Sequence, residues 1–205
     1  MLWPVSCPVC GTMGRLVCDS CLGGLFRAQL PRCLWCGKTV PCRLHGDGAK
    51  IRAGAVYEGY MRELILMLKH GKYEALGVRL GKGLAELYAC PDIDALVPVP
   101  LHPRSKRRYN QAEAIARGMG KAWGIGVKSA VRWKTDAATR AGLSAKERAA
   151  LPLDAFELDR DICGLRLAIV DDVCTTGITL SRVAAAVRAG EGTAVQAFVV
   201  AHVPN

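Results

Sequence analysis

The distribution of cysteine is the strongest constraint on how this chain folds. Seven of the ten cysteines lie in the first 42 of 205 residues, and most of them form pairs separated by two residues. Two such pairs aim four thiolates at one ion, which is the closed tetrahedral shell of a structural zinc site. The spacing therefore predicts a small metal-binding module over residues 1–48, followed by a main domain over residues 49–205. The turn-like stretch His45-Gly46-Asp47-Gly48 marks this boundary.

The candidate metal ligands form two groups of four that follow one another along the chain. The first group is Cys7, Cys10, Cys18 and Cys21, and the second is Cys33, Cys36, Cys42 and His45. Sequential grouping is favoured over a cross-brace because the loops between consecutive pairs are short. One or two zinc ions are expected. Occupancy of the second group stays open, because the spacing between Cys36 and Cys42 is tight for a metal site and His45 also fits a surface residue. Four protein ligands leave no open coordination position for catalysis, so the sites are predicted to be structural.

Composition and charge narrow the class of protein. Apolar residues make up 51% and charged residues 22% of the chain, which is typical of a globular domain. No apolar run approaches the roughly 18 residues that span a bilayer, and the opening MLWPVSC lacks the pattern of a secretory signal. We therefore expect a cytoplasmic protein without membrane insertion, in which reduced cysteines favour metal over disulfides. The net charge of +10 favours an anionic partner such as nucleic acid or a phosphorylated substrate, although such charge also serves solubility.

The main domain alternates short apolar strands with helices. Strands are predicted over 51–57, 95–99, 127–133, 167–170 and 195–203, and helices over 61–68, 73–88, 110–123 and 178–189. This alternation predicts an α/β fold with a mainly parallel sheet flanked by helices. Gly190 is placed as a left-handed cap after the last helix. The polar stretch 134–152 is predicted to be a loop with a capping box of Ser144 and Glu147.

The segment from Leu167 to Thr179 predicts a site for phosphate and ribose. A buried strand delivers Asp171 and Asp172 at its carboxyl end, where ligands of open α/β sheets bind. The following turn offers hydroxyls, backbone N–H groups and the start of a helix, which together suit a phosphate dianion. Its residues are Val173, Cys174, Thr175, Thr176, Gly177, Ile178 and Thr179. Two carboxylates beside a phosphate repel it unless they have another task, such as accepting hydrogen bonds from ribose hydroxyls.

A second candidate binding loop follows the strand that ends near Val99. Arginine and lysine side chains supply charge-assisted donors suited to a pyrophosphate. Taken alone, such a basic run is typical of a solvated surface, but its place after a strand favours a ligand. The candidate binding residues of this loop are Pro100, Leu101, His102, Arg104, Arg107 and Arg108, and His102 also fits a plain turn histidine.

Both segments resemble known sequences. LAIVDDVCTTGIT is similar to the thirteen-residue phosphoribosyl-pyrophosphate motif of type I phosphoribosyltransferases. Residues 97–111 resemble the signature V-P-V-P-x-H…R-G-F-N-Q-A of the ComF family, competence-associated proteins that join a cysteine-rich module to a phosphoribosyltransferase domain. The resemblance implies a type I phosphoribosyltransferase fold, with the N-terminal module as a zinc ribbon.

The resemblance also implies a ligand and partners. Phosphoribosyl pyrophosphate would bind with Mg²⁺, its 2′- and 3′-hydroxyls on Asp171 and Asp172 and its 5′-phosphate on residues 173–179. If the chain catalyses transfer, these two aspartates form the catalytic site, and Cys174 is a loop residue instead of a nucleophile. A role in natural transformation follows, with single-stranded DNA and other DNA-uptake proteins as partners.

The chain departs from the family pattern in two places, and other functions stay open. Arg108 and Tyr109 stand where the family has Gly-Phe. Arg140 and Leu151 replace a Gln and an Asn, which leaves the role of the 134–152 loop open. Lys69 resembles a recurring family lysine but also fits a solvated helix end. The alternatives are a nucleic-acid-binding module with a vestigial or sensory ligand site, and a salvage phosphoribosyltransferase of unidentified acceptor.

Overall fold

The computed structural model describes residues 6–71, 73–134 and 151–204. The strands in these ranges are β1 (Arg32–Cys33), β2 (Lys50–Val56), β3 (Ala95–Pro98), β4 (Gly126–Val127), β5 (Val131–Trp133), β6 (Phe156–Leu158), β7 (Arg166–Cys174) and β8 (Thr193–His202). Six of them form a sheet of order β1-β2-β8-β7-β3-β4, in which every neighbouring pair is parallel except β1 with β2. The strands β5 and β6 form a separate antiparallel pair. The predicted α/β class with a mainly parallel sheet is confirmed.

Four of the described helices agree closely with the predicted ranges, and a fifth, α1 (Asp19–Leu25) in the cysteine-rich segment, was not predicted. The four are α2 (Gly59–His70), α3 (Glu74–Leu87), α4 (Gln111–Trp123) and α5 (Ile178–Ala189). Asn110 begins α4, since its side-chain oxygen accepts a hydrogen bond from the Ala112 N–H at 3.1 Å. No helix in the described ranges has the length and apolar character needed to cross a membrane.

The central strands are buried on both faces, which explains why they are almost continuously apolar. Ile169 of β7 and Val199 of β8 pack into a cluster on the α5 side of the sheet. Val170 and Phe198, their neighbours in sequence, pack on the opposite side with α2, α3 and α4. The sheet is therefore the middle layer of a three-layer domain.

The cysteine-rich segment packs against both of these clusters. Leu22 of α1 and Phe26 join the cluster on the α3 side. Leu34 joins the α5-side cluster and Trp35 packs against it. The strand β1 extends the sheet at the β2 edge. The boundary after residue 48 stays a prediction, and the two segments share their apolar cores.

The structure corrects two of the predicted strands. The strand predicted over 127–133 is divided into β4 and β5, because β4 pairs with β3 whereas β5 pairs with β6. The strand predicted over 167–170 continues as β7 to Cys174, because β8 keeps pairing with it as far as His202. Asp171 and Asp172 therefore lie within the last residues of the strand, not beyond it.

The predicted left-handed cap at Gly190 is wrong. Gly190 has φ −96°, and the positive φ of 60° belongs to Glu191. A Cβ atom on Gly190 would overlap Cδ1 of Leu158 in β6. Close packing of the helix end against β6, and not backbone conformation, accounts for this glycine. The capping box predicted at Ser144 and Glu147 lies outside the described residues.

Candidate functional site

A cavity of about 840 Å³ opens at the carboxyl ends of β2, β3, β7 and β8. Tyr57, Val99 and Val203, which directly follow three of these strands, lie in its wall. All of the ligand-binding residues predicted from the sequence line this cavity except Thr176. The two predicted segments, about seventy residues apart in the chain, therefore meet at one place, where α/β proteins bind ligands.

Lys69 lies in this cavity and forms an ion pair with Asp172. Its Nζ lies 3.1 Å from the Asp172 carboxylate, and the two side chains are 18% and 10% exposed. Tyr109 holds this end of α2 in place, since its hydroxyl donates a hydrogen bond to the Leu68 carbonyl at 2.7 Å. Of the two interpretations open for Lys69, the structure favours the site residue over the solvated helix end.

Asp171 has an unusual environment for a carboxylate. Its Oδ1 accepts a hydrogen bond from the Asp172 N–H at 2.8 Å. Burial, followed by the negative charge of Asp172, raises the pKa of Asp171 to about 7, while that N–H, Lys69 and Arg107 act in the opposite direction. The ionised pair is therefore unfavourable without a ligand, and a bound cation or hydroxyl donors would offset this.

We expect Asp171→Asn to raise the melting temperature more at about pH 8 than at about pH 5. The folded-state pKa of about 7 lies above the ordinary value of 3.8. Between these two pKa values the folded protein therefore binds more protons than the unfolded chain, and its stability falls as the pH rises. Asparagine does not ionise, so the variant avoids this loss. Differential scanning fluorimetry at constant ionic strength measures the melting temperatures, and Asp159→Asn at an exposed position is the control. A pH profile parallel to that of the parent would contradict the expectation.

The turn after β7 has the chemistry expected of a phosphate site. Gly177 has φ 82° and begins α5. Thr175 and Thr179 line the cavity beside it, and the N-terminus of α5 adds the positive end of a helix dipole. Thr176 instead uses its hydroxyl oxygen within the turn, where it accepts a hydrogen bond from the Ile178 N–H at 3.4 Å.

Cys174 is the last residue of β7 and not a loop residue as predicted, because β8 pairs with the strand up to this point. The side chain is buried in the α5-side cluster. Burial raises the pKa of its thiol to about 11. Since the thiolate is the nucleophilic form, a neutral thiol at this position is inert.

The basic loop lies on the rim of the cavity and is held by the start of α4. Arg107 donates a hydrogen bond from Nη1 to Oε1 of Gln111 at 3.1 Å, and Gln111 donates to the Tyr109 carbonyl at 3.0 Å. Asn110 donates to the Val99 carbonyl at 2.9 Å. The cationic ends of Arg104 and its neighbours stay exposed. Asn110 and Gln111 belong to the segment that resembles the family signature, but they were not predicted as site residues.

His102 is buried in the cavity wall. Its Nδ1 accepts a hydrogen bond from the Arg104 N–H at 3.2 Å, and its Nε2 has no hydrogen-bond partner within the described ranges. The ring lies edge-on to Trp133 with centroids 4.8 Å apart. Trp133 donates to the Pro100 carbonyl at 3.0 Å and lines the cavity, which the sequence pattern did not indicate. The ligand role of His102 stays a prediction.

The structure groups the metal ligands sequentially, as predicted. Within each group of four, the candidate ligand atoms all lie within 4.8 Å of one another. Zinc–sulfur bonds of about 2.3 Å in a tetrahedron place two sulfurs about 3.8 Å apart. The Cys10–Cys18 sulfurs are 3.6 Å apart and the Cys36–Cys42 sulfurs 3.4 Å apart. His45 directs Nδ1 to within 3.5 Å of the Cys33 sulfur, so both groups are compatible with structural zinc.

Hydrogen bonds favour a thiolate in each group. The Ser20 hydroxyl is the main cause that lowers the pKa of Cys18 to about 6. The Leu44 backbone N–H is the main cause that lowers the pKa of Cys42 to about 6. Thiolate is the form that binds zinc, so the donor set fits the ion.

We expect purified protein to contain about two zinc ions per chain, and chelation to lower its melting temperature. Metal binding to such a group is also folding free energy, and this segment contributes Leu22 and Leu34 to the two apolar clusters. Elemental analysis measures the zinc, with Cys10→Ser expected to lose about one ion and Cys90→Ser none. Parent protein with much less than one zinc ion would contradict the assignment.

The fold and the cavity define the class of protein: an α/β domain with a cavity at the carboxyl edge of a mostly parallel sheet, and a cysteine-rich N-terminal segment. No protein-family model matches the chain. A DNA utilization protein YhgH of Salmonella typhi is 36% identical over 117 residues, which are 54% of this chain and 48% of the relative. Competence protein F of Haemophilus influenzae is 37% identical over 101 residues, 46% of this chain and 44% of the relative.

These curated relatives confirm the resemblance to the ComF family that the motifs indicated. The aligned region spans about half the length of each relative, 48% and 44%. One solved structure, described as the allosteric regulatory enzyme of purine biosynthesis, covers 62% of this chain and 25% of its own chain, with 23% identity and a TM-score of 0.41. A likeness of that extent carries no argument about this chain.

Proposed function

We propose that this chain binds phosphoribosyl pyrophosphate with Mg²⁺ in the cavity at the carboxyl edge of the sheet. The observation that carries the proposal is that the aspartate pair, the basic loop and residues 173–175 and 177–179 line one cavity. In this proposal the turn binds the 5′-phosphate and the aspartates accept hydrogen bonds from the ribose hydroxyls. The basic loop then faces the pyrophosphate.

The charges around the cavity support this arrangement. The ion pair with Lys69 offsets the charge of Asp172, so an anionic ligand meets less repulsion at the acidic end. The exposed Arg104, Arg107 and Arg108 supply donors at the other end. Mg²⁺ prefers carboxylate and phosphate oxygens, and Asp171 and Asp172 are the residues suited to it. When bound, the ion would supply further neutralisation of the pyrophosphate charge.

Transfer of the ribosyl group, if the chain catalyses it, needs no protein nucleophile. The bond from ribose C1 to the pyrophosphate oxygen breaks as the bond to the acceptor forms, through an oxocarbenium-like state. The aspartates would orient the ribose, and the basic loop would stabilise the departing pyrophosphate.

Calorimetric titration with phosphoribosyl pyrophosphate tests the proposal. We expect binding in the presence of Mg²⁺ and weaker binding of ribose 5-phosphate, which lacks the pyrophosphate that faces the basic loop. Repeating the titration with a single-stranded oligonucleotide shows whether the two ligands compete. Absence of binding to phosphoribosyl pyrophosphate with Mg²⁺ would overturn the proposal.

We further propose that the chain acts in DNA uptake in the cytoplasm, where it handles single-stranded DNA with other DNA-uptake proteins. The names of the relatives, Competence protein F and DNA utilization protein YhgH, support this role. The net charge of +10 and the exposed basic loop suit phosphate-backbone contacts. If DNA binds but phosphoribosyl pyrophosphate does not, the chain is a nucleic-acid-binding module with a vestigial site.

We expect the basic loop to carry the salt dependence of DNA binding. Each phosphate contact that is lost should flatten the slope of log affinity against log salt by about 0.7 for single strands. The test variant replaces Arg104, Lys106, Arg107 and Arg108 with alanine, and a control of equal charge replaces the exposed Arg62, Lys82, Lys121 and Arg160. Fluorescence anisotropy with a labelled oligonucleotide at several salt concentrations measures both. Equal slopes for the two variants would place the contacts elsewhere.

A further inference from the structure

The second metal-ligand group lies directly against the proposed phosphate turn. Cys33 belongs to β1, which pairs with β2, and the chain then turns through Cys36 to Gly37. Gly37 has φ 70°, and its N–H donates to the Cys33 carbonyl at 2.8 Å. A Cβ atom on Gly37 would lie 2.5 Å from the backbone oxygen of Thr176. We call the turn from Cys33 to Gly37 the metal knuckle. It is in backbone contact with the proposed phosphate turn, and there is no room for a side chain between them.

Two further contacts hold the knuckle beside α5. The Arg188 guanidinium, in the last turn of α5, lies 4.1 Å from the centre of the Trp35 ring. At the other end of α5, a Cβ atom on Gly177 would lie 3.1 Å from Cδ1 of Ile51 and 3.7 Å from Cα of Gly37. The start and the end of α5 are thus both supported by the segment that the second ligand group organises.

The first metal-ligand group has the same local geometry without this contact. Gly11 follows Cys10 as Gly37 follows Cys36, has φ 75°, and donates its N–H to the Cys7 carbonyl at 2.8 Å. Apart from its chain neighbours, no residue that the structure describes lies within 4 Å of a Cβ atom placed on Gly11. This group faces α3 instead, where Asp19 pairs with Arg79 at 2.8 Å. The two knuckles therefore differ in what they touch, which makes each a control for the other.

We propose that the second ligand group, when it holds a metal ion, positions the phosphate-binding turn, and that Gly37 and Thr176 transmit this support through their backbone contact. The inference rests on the proposed function, because it explains how a turn that is proposed to bind phosphate is held in place. A metal ion fixes four ligands from a short segment, so the knuckle becomes a rigid surface for residues 174–177. A turn held in its binding conformation loses less entropy when the ligand arrives. Neither residue needs to touch the ligand.

Gly37→Ala and Gly11→Ala in the full zinc-bound chain form the decisive pair. Both place a side chain at a positive φ, so the backbone strain is matched. We expect Gly37→Ala to weaken binding of phosphoribosyl pyrophosphate with Mg²⁺ by about tenfold, and Gly11→Ala to leave it unchanged. Zinc content should stay at the parental level in both. Cys36→Ser and Cys10→Ser form a second pair, and each variant should lose about one zinc ion. Only Cys36→Ser should bind phosphoribosyl pyrophosphate more weakly.

Hydrogen exchange of amides 174–179 separates the failure of this inference from failure of the proposed function. We expect faster exchange in Gly37→Ala and Cys36→Ser than in Gly11→Ala and Cys10→Ser, with or without ligand. Equal exchange across the four variants would overturn the inference, even if the parent binds phosphoribosyl pyrophosphate. A parent that fails to bind, with the exchange difference present, would overturn the ligand assignment and leave the structural coupling intact.

Discussion

Gly177→Val is expected to remove measurable binding of phosphoribosyl pyrophosphate. Gly177 has φ 82° at the start of α5, a conformation that is a genuine outlier for a β-branched residue. A Cβ atom there would lie 3.1 Å from Cδ1 of Ile51, so the Ile51 side chain must move by a few tenths of an ångström. The added methyl groups would also block the approach of a phosphate to the backbone N–H groups. We expect affinity to fall by at least about 100-fold, or roughly 2.7 kcal/mol.

The matched control for this variant is Gly124→Val. Gly124 also has a positive φ, 72°, at the end of α4, and within the described part of the chain only its sequence neighbours lie within 4 Å of a Cβ atom placed there. The backbone strain of about 1 to 3 kcal/mol is therefore common to both variants, and both should melt at a lower temperature. Calorimetry should show normal binding for the control alone. If Gly177→Val binds as the parent does, the turn is a structural strand-to-helix connection and not a phosphate site.

The double variant Asp171→Asn, Asp172→Asn is expected to weaken the binding of phosphoribosyl pyrophosphate by about one to two decades. Hydrogen bonds to charged groups contribute roughly 1.5 to 3 kcal/mol, and asparagine keeps the shape while removing the charge. The titration belongs at about pH 8, above the pKa of about 7 for Asp171, so that the parental pair is ionised. The variant also leaves Lys69 without the carboxylate of its ion pair.

Pyrophosphate alone provides the comparison for the double variant. It carries no ribose, so its affinity measured without Mg²⁺, for which the aspartates are the suited ligands, should not fall in the variant. A melting scan at the same pH shows whether the variant is folded. Unchanged affinity for phosphoribosyl pyrophosphate would show that the aspartates do not accept hydrogen bonds from the ribose hydroxyls.

Much of the fold could be predicted because the relevant patterns are local. The helix over 178–189 is found at those residues because its apolar spacing and its limits are contained in one short segment. The ligand groups were predicted for the same reason, since paired cysteines lie two residues apart in the chain. The break between β4 and β5 was not predictable, because it depends on β3 and β6, which are distant in sequence. The role of Gly190 was not predictable either, because it depends on close packing against Leu158, which is distant in sequence.

The sequence by itself determined the composition of the site: two aspartates, a turn with threonines and a glycine, a run of cations and two sets of metal ligands. Only the tertiary structure decided which of these meet. Because β8 pairs with both β2 and β7, and β7 pairs with β3, the carboxyl ends of four strands lie at one edge of the sheet. That strand order brings Lys69 and Trp133 into the cavity wall and sets Gly37 against Thr176. Contacts between residues far apart in the chain depend on how whole strands and helices pack, and no pattern within a short segment specifies them.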